Sequence, residues 1–173
     1  MEGQEHSQLI TADRNRIQFW DLNSMVIDVE MKVSNLVVDG ANSECMATKR
    51  DPHDKKLIAL AIEDTVKVID LRKPTNRVGD INFTAHIDQV LDIAYNQSRL
   101  HTVATSGTDG AVRIWDLRKT DRTILTFDDD HSGHWITKVR YNQFHDQLLL
   151  TGSTSTFVSL YRASSVSTSP SPS

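Results

Sequence analysis

The feature that most restricts the fold is a repeat. An aromatic or apolar residue followed by Asp recurs at Trp20-Asp21, Ile69-Asp70 and Trp115-Asp116, and the matching slot falls at Tyr161-Arg162, in steps of 49, 46 and 46 residues. A fixed period of this length belongs to arrays of one supersecondary unit, each burying its apolar surface against its neighbours. Helical repeats of similar length need apolar residues at a spacing near 3.6, and that pattern is missing; the segments here alternate with period two or are β-branched, as strands do. The chain is therefore expected to be all-β.

The third unit is the clearest: AHIDQVLDIAYN, then HTVATSG, then TDGAVRIWDLRK, then RTILTF. Alternation assigns Leu91, Ile93 and Tyr95 to one face of its first strand, Val103 and Thr105 to one face of the second, Val112 and Ile114 to the third, and Leu125 and Phe127 to the fourth. Thr108-Asp109-Gly110 supplies a tight turn, because Asp can accept from its own backbone two residues on and Gly tolerates positive φ. The fourth unit repeats the plan as HWITKVRYN, HDQLLLTGS and TFVSLYR without a visible fourth strand, and an extra residue near Ser132-Gly133 leaves open whether His131 or His134 takes the place of His86. The first unit shows SQLITA and NRIQFWDLN as inner strands and MVIDVEM as an outer one, so the chain is expected to begin and end inside repeats. Residues 163–173 hold six Ser and two Pro with one aliphatic residue larger than Ala, which reads as a disordered tail in which Ser169 and Ser171, each before Pro, are candidate phosphorylation sites.

Four-stranded units of slightly more than about 40–45 residues, with His86 before the first strand, a TSGTDG turn and IWD at 114–116, resemble the WD-repeat family of β-propellers. Ala85 stands where that family usually has Gly. The resemblance implies a propeller segment of three to four blades over residues 1–162, with repeat ends near 21, 70, 116 and 162, and the tail at 163–173. It also implies a hydrogen-bonded tetrad of His86, Thr105, Asp109 and Trp115, structural rather than catalytic because no nucleophile or metal cluster accompanies the His-Asp pair. The second and fourth units keep the tetrad badly, with Ile69 in the Trp slot and Ser155 in the Asp slot, and are expected to lean on packing. More specifically, ITADRNRIQFWDLN at 10–23, AHIDQVLDIAYN at 85–96 and HWITKVRYNQFHDQLLLTGS at 134–153 resemble the WD-repeat proteins that interact with the EARP and GARP tethering complexes. That resemblance implies a non-catalytic adaptor in endosomal recycling, retrograde transport and dense-core vesicle sorting, cytoplasmic and peripheral at endosomes and the trans-Golgi network.

Other function classes find little support. A formal charge of −4 with 19 basic residues scattered among 23 acidic ones gives no electropositive footprint for nucleic acid. No apolar run approaches the roughly 20 residues of a membrane span, and MEGQEHSQ lacks a secretory pattern. The lone Cys45 reads as a small half-buried residue, and no cofactor is expected. Seven histidines, with His131 and His134 beside Asp128, Asp129 and Asp130, invite a metal reading, but a loop between repeats suits a solvated acidic run better. Phosphate loops and nucleophile elbows are absent, so no enzyme class is expected. Two residues stand out as partner contacts. Arg118 lies in Trp115-Asp116-Leu117-Arg118, echoed by Ile69-Asp70-Leu71-Arg72, which resembles the WD-x-Arg signature of cullin-RING ligase substrate receptors and gives the alternative function. Trp135 enters a strand beside Arg140 and Tyr141; Tyr141 is expected in the core and Trp135 at an interface.

Overall fold

The computed structural model describes residues 8–13, 15–32, 36, 43–72, 81–128, 133–155 and 157–163. Among them are fourteen strands in four separate antiparallel sheets, and no α-helix. The first sheet holds β1 (Gln8–Asp13), β2 (Arg16–Asp21) and β3 (Val26–Lys32). The second holds β4 (Cys45–Arg50), β5 (Leu57–Ile62), β6 (Thr65–Asp70) and β7 (Ile81–Thr84). The third holds β8 (Val90–Tyr95), β9 (Thr102–Gly107), β10 (Ala111–Asp116) and β11 (Leu125–Asp128). The fourth holds β12 (Ile136–Tyr141), β13 (Leu148–Ser153) and β14 (Val158–Arg162). Each sheet is a meander in chain order, the blade of a propeller. The tail at 164–173 and the loop at 129–132 lie outside the described residues.

Successive blades pack face to face. Ile17, Phe19 and Met31 of the first meet Cys45, Ile58, Leu60, Ile62 and Ile69 of the second. Ala59, Ala61, Val66, Val68 and Phe83 of the second meet Val90, Ile93, Tyr95, Val103 and Trp115 of the third. Ala94, Ala104, Val112 and Ile114 of the third meet Ile136, Val139 and Leu149 of the fourth. The middle blades are thus covered on both sides, which is why LIALAI in β5 reads as a continuous apolar run instead of an alternating one. Fully burying each of these Val, Leu or Ile side chains is worth about 1.5–3 kcal/mol, so the interfaces between blades carry most of the driving force.

One face assignment is corrected by the backbone. The innermost strands β4, β8 and β12 each carry a register irregularity at the same place, between Cys45 and Ala47, Val90 and Asp92, and Ile136 and Lys138. The skipped residue drops out of the ladder, so side-chain parity changes across it. Leu91, expected on the face of Ile93 and Tyr95, is this skipped residue and is half-buried, while Val90 enters the core beside them. Met46 and Thr137 are skipped likewise, and Cys45 and Ile136 take the core positions equivalent to Val90. Cys45 is more buried than the sequence suggests, and burial pushes its thiol up to about 12.

Candidate functional site

The most ordered polar assembly lies at the start of the third blade. Trp115 Nε1 on β10 donates to Thr105 Oγ1 on β9 at 3.0 Å, Thr105 Oγ1 lies 2.8 Å from His86 Nε2, and His86 Nδ1 lies 2.8 Å from Asp109 Oδ1. Thr105 Oγ1 accepts from Trp115 and so has its own proton free for Nε2, while Nδ1 lies between the Asp109 carboxylate and Arg113 Nη1, 2.6 Å away. The four residues expected to form a tetrad thus stand in one directional hydrogen-bonded chain. His86, Thr105 and Trp115 are buried, and pairing removes the cost of burying their polar atoms. Asp109 also accepts from the Ile87 and Ala111 amides, fastening the entry of the blade to the β9–β10 turn, where Gly110 has φ 75°.

Two further residues belong to this assembly and were not read from the sequence. Arg113, one strand position from the apolar face of β10, donates to Asp109 Oδ2 at 2.7 Å. Burial works against ionisation of Asp109, but the hydrogen bonds from His86 and Arg113 outweigh it and hold the carboxyl well below the usual range. Gly107 lies against the ring: a Cβ there would come within 2.6 Å of His86 Nδ1 and 2.8 Å of the Gln89 carbonyl oxygen. The TSG sequence before the turn is the signal for this close approach, since any larger residue displaces the imidazole.

Aligning the ladders shows how the other blades fill the same slots. In the first blade Trp20 Nε1 donates to Thr11 Oγ1 at 2.9 Å, the same pair as Trp115 and Thr105 but at an exposed site. In the second blade both partners are apolar, with Ile69 in the Trp slot and Leu60 in the Thr slot, packed in one cluster. Replacing both members of a buried polar pair together leaves nothing unsatisfied. In the fourth blade Tyr161 stacks on Phe127 at 4.7 Å, Thr151 turns to the Ser159 carbonyl, and Ser155 meets Ser153 and accepts from the Phe157 amide. His134 is exposed, its Nδ1 3.5 Å from Thr154 Oγ1; His131 lies outside the described residues.

At the opposite end of the sheets a second repeated device caps the innermost strands. Asp51, Asn96 and Asn142 each follow the inner strand of their blade and accept from backbone amides two and three residues on. Asn96 also donates to the Asp146 carbonyl, and its own carbonyl lies 3.1 Å from His53 Nε2, joining three blades. This Asx recurs in steps of 45 and 46 residues, a signal in the sequence that was not read above. Arg118 sits at this end. Its side chain is 64% exposed and forks onto the Asp116 carboxylate through Nε at 2.9 Å and Nη2 at 2.7 Å; Arg72 donates to Asp70 through Nε alone and to Asp54 through Nη2. The bond from Arg118 holds the Asp116 carboxyl below its ordinary range.

Trp135 is at the other end, beside the tetrad end of the fourth blade. Its backbone is fixed by two hydrogen bonds with Thr154 while its side chain leaves the residue 52% exposed. Antiparallel meanders place the β10–β11 connection and the entry to β12 at opposite ends, so one flat partner surface cannot touch both Arg118 and Trp135. Arg140 instead turns inward to the buried Asp92 carboxylate, and Tyr141 packs on the core between the third and fourth blades, where burial pushes its hydroxyl up. No group of three His, Cys, Asp or Glu among the described residues is close enough to hold a metal ion. Among them, too, no helix is long and apolar enough to cross a membrane.

Comparison with known proteins matches residues 1–161 to the family model described as EIPR1 beta-propeller. The chain is 37% identical over 140 residues to EARP-interacting protein 1 of Caenorhabditis elegans, an overlap of 78% of this chain and 37% of that protein. It is 30% identical over 164 residues to EARP and GARP complex-interacting protein 1 of Homo sapiens, covering 94% of this chain and 41% of that protein. WD repeat-containing protein DWA2 of Arabidopsis thaliana is 29% identical over 168 residues, 95% of this chain and 45% of its own length. The chain spans less than half the length of these relatives. With four successive antiparallel blades and a family match over residues 1–161, the chain belongs to the EIPR1 beta-propeller family.

Proposed function

We propose that this chain is a non-catalytic adaptor segment that binds components of the EARP and GARP tethering complexes and serves endosomal recycling, retrograde transport and dense-core vesicle sorting from the cytoplasmic side of endosomes and the trans-Golgi network. The observation that carries the reading is the family membership, together with the names of its relatives, which state interaction with those complexes. The architecture supports it: blades packed on one another carry connections at both ends, the arrangement in which repeat folds present contact surfaces. His86, Asp109, Thr105 and Trp115 act in this reading as a scaffold that fixes the blade's entry loop. Trp135 is the contact residue best placed for a partner, a half-exposed indole on a fixed backbone. Arg118 is the second contact candidate, already oriented by Asp116.

The test is affinity purification of the tagged chain from cells, with quantitative mass spectrometry of tethering-complex subunits, the cullin-ligase adaptor and chaperones. Enrichment of tethering subunits, reduced at least fivefold by Trp135→Ala and unchanged by Arg118→Ala, is the expected result. Enrichment of the ligase adaptor, lost on Arg118→Ala, would replace this reading with a substrate-receptor function.

A further inference from the structure

Two large apolar side chains stand in solvent at the end of the sheets that carries the His86 network. Ile87 is 87% exposed and Trp135 is 52% exposed, yet the backbone of each is fastened. The Ile87 amide donates to Asp109 Oδ2. Its strand entry is tied to the preceding blade, where the Ala85 and His86 amides donate to the Asp64 carbonyl and the Val90 amide donates to the Glu63 carbonyl. The Trp135 carbonyl accepts from the Thr154 amide, as the Gln89 carbonyl accepts from Thr108 one blade earlier. A Cβ on Gly110, beside Asp109, would lie 3.1 Å from the His134 carbonyl oxygen, so Ile87 and Trp135 flank a single turn.

This exposure belongs to the end of the fold, not to the flank of a blade. Ile87 enters the third blade, which is packed by the second on one side and the fourth on the other. Gln89, which holds the position of Trp135 in that blade, is exposed as well, with both neighbouring blades in place. An apolar side chain on a fixed backbone loses little freedom when a partner covers it, which is the property of an anchor. Charge selects the partner. In the second to fourth blades the described turns and strand entries at this end hold Glu44, Glu63, Asp64, Asp88 and Asp109, and neither Lys nor Arg. Arg113 on β10 is committed to the Asp109 carboxylate, whereas Lys56, Arg72, Arg118 and Lys119 lie at the opposite end.

We propose that the surface running from Glu63 through Ile87 and Asp88 to Trp135 is a docking site for an extended segment of a partner protein in which Lys or Arg residues surround an aliphatic and an aromatic residue. The apolar residues of that segment cover Ile87 and Trp135, and its cations lie beside Glu63 and Asp88. Attraction between exposed charges is weak and falls with salt, so it selects the sign of the partner and speeds encounter, while the apolar contacts hold the complex. The inference concerns this surface alone and stands whichever complex the chain serves.

The probe is a fluorescein-labelled peptide, GSKRLKFRKSG, titrated with the whole chain and followed by anisotropy. Saturable binding is expected, weakened at least tenfold when Ser replaces both Leu and Phe, at least tenfold when Glu replaces every Lys and Arg, and at least fivefold in the Ile87→Ser chain. Ile87 is exposed, so that variant is expected to keep the wild-type circular dichroism; Asp88→Lys, at an exposed residue, is the second variant if it does not. Absence of saturable binding, equal binding by the Ser-substituted peptide, or equal binding by chains altered at Ile87 and at Asp88 overturns the proposal. Sedimentation showing that copies of the chain join through this surface, an association lost on Ile87→Ser, overturns it as well, because a second copy then covers the site.

Discussion

Thr105→Val tests whether burial sets the worth of the His86 network. The substitution keeps the side chain's shape and removes one oxygen, so the Trp115 indole N–H loses its acceptor and His86 Nε2 loses its donor. Both residues are at most 5% exposed, which leaves water no access to replace Thr105. Each of the two orphaned groups costs about 1–3 kcal/mol, and the added methyl returns about 0.8 kcal/mol, for a net loss of about 1–5 kcal/mol. The first blade holds the control. Thr11→Val breaks the same Trp–Thr bond at an exposed site, where water satisfies Trp20, and its cost is expected within about 0.5 kcal/mol. Urea unfolding followed by circular dichroism and tryptophan fluorescence, analysed at a common m-value, measures both. Equal losses for the two variants, or a loss below about 1 kcal/mol for Thr105→Val, would refute the argument that burial decides.

Three other perturbations follow from the same geometry. Gly107→Ala drives a methyl into His86 and the Gln89 carbonyl and is expected to lower stability by about 1–3 kcal/mol, measured in the same unfolding assay. Asp109 has a carboxyl held below its unfolded value, so its contribution is present above about pH 4 and disappears as pH falls through the folded value; wild-type stability should drop more steeply than that of Asp109→Asn on acidification from pH 6 to pH 3, by on the order of 1–2 kcal/mol. Cys45, the only thiol, is buried with its titration pushed up to about 12, so 5,5′-dithiobis(2-nitrobenzoic acid) at pH 8 should label the folded chain at least tenfold more slowly than the urea-unfolded chain.

Much of this architecture is legible in the sequence because its markers are local. The Trp-Asp slots mark the ends of β2, β6, β10 and β14, at Asp21, Asp70, Asp116 and Arg162, and the Asp-Gly turn has a backbone chemistry that few other sequences satisfy. The residues of the His86 chain could be named because each recurs at a characteristic place in a WD repeat. Leu91 was misplaced because alternation counts residues, whereas a bulge removes one from the count without leaving a mark in composition. Arg113 escaped notice because a basic residue on a strand reads as a solvated side chain; its partner, Asp109, lies across a turn whose geometry decides the pairing. The second blade's apolar answer to the tetrad required comparing Leu60 with Thr105 as well as Ile69 with Trp115, and only the ladder registers put those residues in equivalent slots.

The irregularity shared by β4, β8 and β12 also governs which changes in length the repeat can absorb. Residues before the skip address the preceding blade in one phase, and residues after it in the other. A chain that lost Leu91 would keep every core residue in its composition and yet present the stretch that includes His86 and Val90 a half-period out of step with its partners. Insertions at the blade ends leave this phase untouched. Exchange of inner strands between repeats therefore succeeds only when the odd residue travels with the strand, and alignments that close the gap at Met46, Leu91 or Thr137 pair residues that look in opposite directions.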